Sequence, residues 1–185
     1  KHYAGGNIAG TLAKGGMALA KRDMFGAMKL LVDSEMKMFH GLDTPVIFLQ
    51  NVITDLLLGL GMSEFFLEFS QYVQEKYNAE AGFITMNLPQ LVEELERIGL
   101  DNPIVCSSIN KIGFRMSGGI SRYEETLRNK RFRGVAMQVL AAGGVCPREA
   151  IEYVARLEGV QSIVFGASTP GHIKETKEHI EKFSQ

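Results

Sequence analysis

The chain has 185 residues, of which 45% are hydrophobic and 22% are charged, and its formal net charge at pH 7 is −1. This composition is typical of one soluble globular domain with a sizeable core. The balanced charge, without a block of lysine or arginine, argues against a nucleic-acid partner, because binding to the phosphate backbone requires concentrated positive charge.

Local features of the chain exclude further classes of protein. The longest apolar stretch, residues 51–62, contains Asp55 and is shorter than the roughly 18 residues that a membrane span requires. No signal peptide is recognisable. Cys106 and Cys146 are isolated in the sequence, which favours two free thiols in a reducing compartment over a disulfide. We therefore expect a cytoplasmic protein without a membrane contact.

Strands and helices are predicted to alternate along the chain. Short apolar or small-residue runs predict strands over residues 7–13, 45–49, 82–86, 103–109, 134–140 and 162–165. Apolar residues at helical spacing predict helices over residues 23–39 and 63–77. Prolines suited to a first turn open predicted helices over residues 89–98, 147–157 and 170–183, and residues 123–129 predict a short charged helix. Such alternation is typical of parallel strands joined by right-handed crossovers, as in an α/β barrel or a doubly wound sheet.

Capping residues mark several predicted helix ends. Asp23 and Ser63 can cap a helix N-terminus, Pro89 suits a first helical turn, and Gly99 suits a helix end. Residues 51–62 are unusually apolar for a connection. They could form a short buried helix, a lid or a subunit contact.

Polar side chains follow nearly every predicted strand. In both candidate architectures, ligands bind at the carboxyl ends of the strands, where loops and helix N-termini converge. The residues at those ends are Lys14, Gln50, Asn51, Asn87, Asn110, Lys111, Gln138 and residues 166–168. A few converging polar groups on a mostly apolar wall are typical of a ligand pocket. The sequence therefore predicts a polar binding site at this end of the sheet.

The turn Gly166-Ala167-Ser168 lies between a predicted strand and the helix that begins at Pro170. Unpaired backbone N–H groups and the helix dipole make such a turn suitable for a phosphate or another anion. The alternative is an ordinary strand-to-helix turn, in which glycine serves only to adopt a positive φ.

Common catalytic groups are missing from the predicted strand ends. No histidine follows a strand, and the nearest carboxylate is Asp55. The four histidines lack a metal-ligand spacing, so we expect no metal site. Ser107 and Ser108 lie outside any nucleophile-elbow motif. Lys14 and Lys111 are either amines activated in a dry pocket or ordinary solvated lysines.

Several motifs, in order along the chain, resemble the later part of an aldo/keto reductase barrel. Residues 12–16 (LAKGG) resemble the family's TKGG, and residues 46–51 (VIFLQN) resemble its DLYLLH. Residues 83–87 (FITMN), 135–143 (VAMQVLAAG) and 164–176 (VFGASTPGHIKET) resemble GVSN, VAYSPLARG and IPGASNPEQLEEN. The resemblance covers about the third to the eighth strand of the family's barrel.

The resemblance implies roles for individual residues. Lys14 falls on the family's catalytic lysine and Gln50 on its catalytic histidine, where glutamine can donate a hydrogen bond but cannot change its protonation state. Asn87 falls where the family binds the nicotinamide carboxamide, and Ser107 replaces a glutamine of the sixth strand. Met137 replaces the aromatic residue that stacks on nicotinamide, and a thioether is a poorer platform for a flat ring.

Further contacts with cofactor and substrate are expected at the same end of the barrel. The residues expected to bind the cofactor, mostly its phosphates, are Gly166, Ala167, Ser168, His172 and Thr176, together with Gln138. The residues expected to contact a substrate are Asn51, Asn110, Lys111 and Arg115. If the chain lacks nicotinamide chemistry, Lys14, Lys111 or Arg115 could instead bind a phosphorylated or carboxylate ligand.

These features predict a parallel β/α (TIM-type) barrel in which residues 1–185 form a single domain of about six βα units. This domain would be the C-terminal three quarters of an aldo/keto reductase-like barrel. The resemblance implies an oxidoreductase that transfers a hydride between NADP(H) and a small carbonyl substrate. The alternatives are a barrel enzyme or ligand-binding protein that uses the anion-binding turn without nicotinamide chemistry, and a non-catalytic interaction protein.

A partial barrel has open edges. Six strands of an eight-stranded barrel leave two sheet edges that must be covered or paired. We therefore expect that further residues precede Lys1 in the native protein, or that the chain forms a homo-oligomer. Residues 56–62 or the open sheet edges would form that contact.

Overall fold

The computed structural model describes residues 24–183. The strand predicted over residues 7–13, the catalytic role expected of Lys14 and the cap predicted at Asp23 lie outside the described residues. The five later predicted strands all fall within them.

Helices and strands alternate through the described residues. The helices are α1 Met24–Met36, α2 Asn51–Leu60, α3 Glu64–Tyr77, α4 Leu88–Arg97, α5 Ile120–Asn129, α6 Pro147–Ala155 and α7 Pro170–Phe183. The strands are β1 Val46–Leu49, β2 Glu80–Thr85, β3 Ile104–Ser108, β4 Arg133–Met137 and β5 Val160–Ile163. Short 3-10 turns follow α1 at Lys37–Phe39 and β4 at Ala141–Gly143.

The five strands form one parallel sheet in the order β1-β2-β3-β4-β5. Gly82 of β2 pairs with Ile104 of β3, Ile104 with Arg133 of β4, and Ala136 of β4 with Ile163 of β5. Parallel neighbours need a crossover connection, and helices supply it between successive strands. The prediction of a parallel α/β fold is confirmed.

Helices α1 and α3 pack together in one of two compact units, which contains residues 24–47 and Phe65–Glu80. The rings of Phe25 and Phe65 stack with their centroids 4.3 Å apart. Phe66, Phe69 and Val73, which the sequence places on one face of α3, are buried. Full burial of an apolar side chain of this size is worth about 1.5–3 kcal/mol.

Asp33 of α1 is the centre of a polar cluster in this unit. Its carboxylate accepts hydrogen bonds from the hydroxyls of Tyr72 (2.5 Å) and Tyr77 (2.6 Å) and from the Lys76 ammonium group (2.6 Å). Burial alone would raise the pKa of Asp33, but these hydrogen bonds outweigh it and lower the pKa. Burial and the Asp33 hydrogen bond raise the pKa of Tyr77 to about 12. Each group has a partner, so the cluster ties α1 to α3.

The second unit contains Phe48–Glu64 and residues 81–183. All residues of β3 are buried, as expected for a strand inside a covered parallel sheet. Helix α4 contributes an apolar face whose buried residues are Leu88, Pro89, Leu91, Val92 and Leu95. Gly82 allows the Phe48 ring to lie against β2, because an added Cβ would be 2.5 Å from that ring.

Some element boundaries differ from the prediction. Strand β4 ends at Met137 instead of residue 140, because Gln138 has a φ of 54°, which a strand does not accommodate. Strand β5 begins at Val160 and ends at Ile163, two residues earlier at each end than predicted. Helix α5 begins at Ile120, three residues before the predicted start.

Residues 51–62, for which the sequence left three alternatives, form α2 and the turn after it. The buried side of the helix presents Thr54, Leu57 and Leu58. The other side exposes Val52, Leu56 and Leu60, whose exposed fractions are 67%, 56% and 62%. A role of this exposed side in oligomerisation stays a prediction. No helix in the described part of the chain is long and apolar enough to cross a membrane.

Candidate functional site

A cavity of about 440 Å³ opens at the carboxyl ends of β3, β4 and β5. Its lining comprises Phe114 and Arg115 after β3, residues 138–143 after β4 and residues 164–166 after β5, with Ile151 of α6 and Thr176 of α7. This volume falls within the roughly 300–1,000 Å³ of small-molecule sites. Parallel α/β sheets bind ligands at this end of their strands.

Backbone strain is concentrated around the cavity. The described non-glycine residues with a positive φ are Asn78, Asn102, Arg115, Gln138, Ala141 and Ala142, and the last four line the cavity. The left-handed conformation costs an L-residue about 1–2 kcal/mol. Alanine has no polar side chain to ease that cost locally, unlike asparagine. Strain of this kind persists where the surrounding structure enforces it, often at a binding site.

Gly166 has no conformational or packing requirement to be glycine. Its φ is not positive, and an added Cβ would meet no atom within 4 Å. The explanation that the turn needs a positive φ therefore fails at this residue. By contrast, Gly159 has a φ of 87°, and its Cβ would lie 2.4 Å from the carbonyl oxygen of Leu127. The open backbone surface at Gly166 suits the close approach of a ligand.

Two uncharged polar side chains line the cavity from different elements. The side-chain oxygen of Gln138 accepts a hydrogen bond from the Ser108 hydroxyl at the end of β3 (2.6 Å). The Gln138 amide NH₂ group then remains as a donor for a ligand. Thr176 of α7 is only 5% exposed and borders the cavity. The lining thus combines an apolar wall with a few polar groups, as ligand sites do.

A second feature of the strand ends is the hydrogen-bond network around Asp55, in the first half of α2. Its carboxylate accepts hydrogen bonds from the Thr85 hydroxyl and from the Met86 amide (3.0 Å). The Thr85 hydroxyl oxygen accepts a hydrogen bond from the Asn87 amide (2.8 Å). Because Thr85 is fully buried, the loss of any of these partners would leave a costly unpaired group.

Tyr123 and Ser107 also form hydrogen bonds to this segment, at the backbone of Thr85, Met86 and Leu88. The Tyr123 hydroxyl donates to the Met86 carbonyl (2.7 Å) and accepts from the Leu88 amide (3.2 Å). Burial raises the pKa of Tyr123. The Ser107 hydroxyl donates to the Thr85 carbonyl (2.8 Å). The backbone that carries Asn87 is therefore preorganised.

The N-terminus of α7 is partly capped by the chain itself. The Thr169 hydroxyl accepts a hydrogen bond from the His172 amide (3.2 Å), and the Thr169 carbonyl accepts one from the Ile173 amide (3.2 Å).

Of the residues expected to bind the cofactor phosphates, Gly166 and Thr176 line the cavity, whereas Ala167, Ser168 and His172 are exposed and lie outside its lining.

The other predicted site residues are distributed around the strand ends. Gln50 is exposed and precedes α2, Asn51 is the first residue of that helix, and Met137 is half-buried at the end of β4. The Lys111 ammonium group pairs with the Glu149 carboxylate.

Amide side chains also fix two of the loops. The Asn87 amide group donates to the Gln90 side-chain oxygen (2.7 Å). Asn110 is fully buried and bonds both the N–H and the carbonyl of Phe114. The structure thus brings four predicted site residues together in the cavity: Arg115, Gln138, Gly166 and Thr176.

The cavity also contains residues that the sequence did not single out. Phe114 and Phe165 provide aromatic surface, and Ala141 and Ala142 provide strained backbone. Phe165 was predicted only as the last apolar residue of a strand. The left-handed alanines carry no sequence signal, because alanine has no preference for that conformation.

The described part of the chain contains no group of three or more histidine, cysteine, aspartate or glutamate side chains that could hold a metal ion. Comparisons with protein-family models, curated proteins and solved structures found no significant match.

Proposed function

We propose that the chain is an aldo/keto reductase-like oxidoreductase that transfers a hydride between NADP(H) and a small carbonyl substrate. One observation carries this proposal. The cavity lies between residues 138–143 and 164–166 and reaches Thr176, which are parts of the two motifs that the resemblance links to the cofactor. Residues distant in the sequence thus share one concave surface.

The strand order supports the barrel on which this proposal depends. Doubly wound sheets reverse their strand order at a switch point. The described sheet runs β1 to β5 without a reversal, as an arc of a β/α barrel does. We infer a TIM-type barrel of which these five strands form a part.

The chemistry of the lining residues supports the binding of a dinucleotide. Gly166 would allow the ligand to approach the backbone, the Gln138 amide and Thr176 hydroxyl would donate hydrogen bonds, and Phe114 and Phe165 would provide flat apolar surface. When bound, NADP(H) would supply or accept the hydride. Lys14 and Gln50 would polarise the substrate carbonyl, and Gln50 could do so only as a hydrogen-bond donor.

A ligand-binding protein without nicotinamide chemistry is the second candidate. It is favoured by Met137, which ends β4 where the family has an aromatic platform, and by Gln50, which replaces an ionisable side chain. In this case the cavity would bind a phosphorylated or carboxylate ligand, and no carbonyl would be reduced.

Ligand-induced stabilisation separates the two candidates. At a hundredfold excess over Kd, NADPH should stabilise the protein by about 2.7 kcal/mol, which thermal denaturation can measure. The loss of NADPH absorbance with a panel of aldehydes and ketones then tests hydride transfer. Reduction that is lost in Lys14→Met would support the proposed mechanism. The reductase proposal would fail if neither NADPH nor NADH stabilised the protein.

A further inference from the structure

Among the residues that the structure describes, Arg115 is the only charged one in the lining of the cavity. Within residues 24–183, no aspartate or glutamate lines the cavity to offset its positive charge. Two other cations of the same unit have acidic partners: Lys111 pairs with Glu149, and Lys130 pairs with Glu96. The guanidinium carbon of Arg115 lies 5.3 Å from the centroid of the Phe114 ring.

The loop that carries Arg115 is rigidly built. The buried Asn110 side chain accepts a hydrogen bond from the Phe114 amide and donates one to the Phe114 carbonyl, both at 2.8 Å. The Met116 amide donates to the Gly113 carbonyl (3.2 Å), and Met116 is buried. Arg115 itself has a φ of 54°. The neighbours on both sides are thus fixed, and the backbone at Arg115 is held in a conformation that is costly for arginine.

We propose that Arg115 binds a phosphate group of the ligand in this cavity and so makes the site selective for phosphorylated nucleotides. This inference rests on the proposed function in that it concerns the same cavity. A planar guanidinium group presents several N–H donors in a geometry that matches phosphate oxygens. Because the backbone of the loop is already held by hydrogen bonds, the main entropic cost of phosphate binding is the ordering of the Arg115 side chain itself.

The phosphate could be the diphosphate bridge or a monophosphate on the ribose, and a set of ligands distinguishes them. Binding of NADPH, NADH, adenosine and inorganic pyrophosphate is measured by calorimetry for the wild type and for Arg115→Asn. Asparagine tolerates the left-handed backbone, so this change removes the charge without straining the loop. Arg115→Lys keeps a positive charge but loses the planar fork.

Arg128→Gln is the matched control. Arg128 is an exposed arginine in the last turn of α5, whereas Arg115 lies in the loop before that helix. Both variants remove one positive charge, so a general change in net charge would affect them equally. Thermal denaturation of each variant checks that it is folded.

We expect Arg115→Asn to weaken the binding of phosphorylated ligands about 10- to 100-fold, since hydrogen bonds to charged groups are worth more than neutral ones. The affinity for adenosine should be the same in all variants, and Arg128→Gln should bind the phosphorylated ligands as tightly as the wild type. The affinity of Arg115→Lys for these ligands should lie between those of the wild type and Arg115→Asn. A loss for NADPH alone would assign Arg115 to the ribose monophosphate. An equal loss for NADH and pyrophosphate would assign it to the diphosphate.

Other outcomes would overturn one proposal or both. If NADPH binds equally to the wild type and Arg115→Asn, the role of Arg115 is wrong, while the proposed function stands. If pyrophosphate binds through Arg115 but neither nicotinamide nucleotide binds, the role of Arg115 holds and the reductase proposal fails. If none of the phosphorylated ligands binds the wild type, both proposals are refuted.

Discussion

Gly166→Ala separates folding from ligand binding at the cavity. Gly166 has no positive φ, and an added methyl group would meet no protein atom within 4 Å. Restricting the unfolded chain at a compatible position stabilises a protein by about 0.4–1 kcal/mol. The same methyl group would occupy space that we assign to the ligand, and overpacking typically costs about 1–3 kcal/mol. That cost corresponds to about a 5- to 150-fold weaker affinity for NADPH.

Urea denaturation and NADPH titration are the two assays, and two glycines provide controls. Gly59 lies in α2 with no atom within 4 Å of an added Cβ, so Gly59→Ala should stabilise the helix by about 1 kcal/mol without changing the affinity. Gly159→Ala should lower the free energy of unfolding, because its Cβ would lie 2.4 Å from a carbonyl oxygen. An unchanged affinity in Gly166→Ala would refute the assignment of this surface to the ligand.

Three further predictions concern the described residues. Asp55→Asn should lower the free energy of unfolding by about 1–3 kcal/mol in urea, because its amide NH₂ group would face one of the two donors that the carboxylate now accepts from; an unchanged value would show that the network is not required. Hydrogen bonds from Arg97 and Ser63 lower the pKa of Glu94 from 4.5 to about 2. Its contribution to stability is therefore complete above the unfolded-state pKa and is lost as the pH falls towards the folded-state pKa. Glu94→Gln should thus lower the free energy of unfolding near neutrality and flatten its decline as the pH falls from 4.5 to about 2. Burial raises the pKa of Cys106 to about 11, whereas Cys146 is exposed; a thiol reagent should modify one cysteine rapidly in the native protein and both in urea, and fast modification of both would contradict the buried position of Cys106.

Much of the fold is predictable from local sequence signals. Gly99 correctly predicts where α4 stops, and Pro170 correctly predicts where α7 begins. The boundaries of both helices lie within one residue of the prediction. The alternation of strands and helices suffices to predict a parallel sheet. Strand β4 was predicted too long, because Val139 and Leu140 are apolar enough to continue it and a glutamine at position 138 gives no sign of a left-handed backbone.

The candidate site was predictable only in part. The polar residues near strand ends led to Gln138, and the glycine of a strand-to-helix turn led to Gly166. The cavity wall also depends on Phe114 and Ala142, whose positions are set by tertiary packing and by the Asn110 hydrogen bonds. Lys111, like Arg115, was predicted to contact a substrate. Its ion pair with Glu149 depends on the packing of a helix distant in the sequence, which local sequence signals do not reveal.

Amide hydrogen exchange with and without saturating NADPH tests the central claim most directly. If the cavity is the cofactor site, NADPH should slow exchange in residues 138–143 and 164–168 and leave residues 24–36 of α1 unaffected. Saturable binding without protection of those two segments would place the cofactor elsewhere. No binding at all would contradict the account.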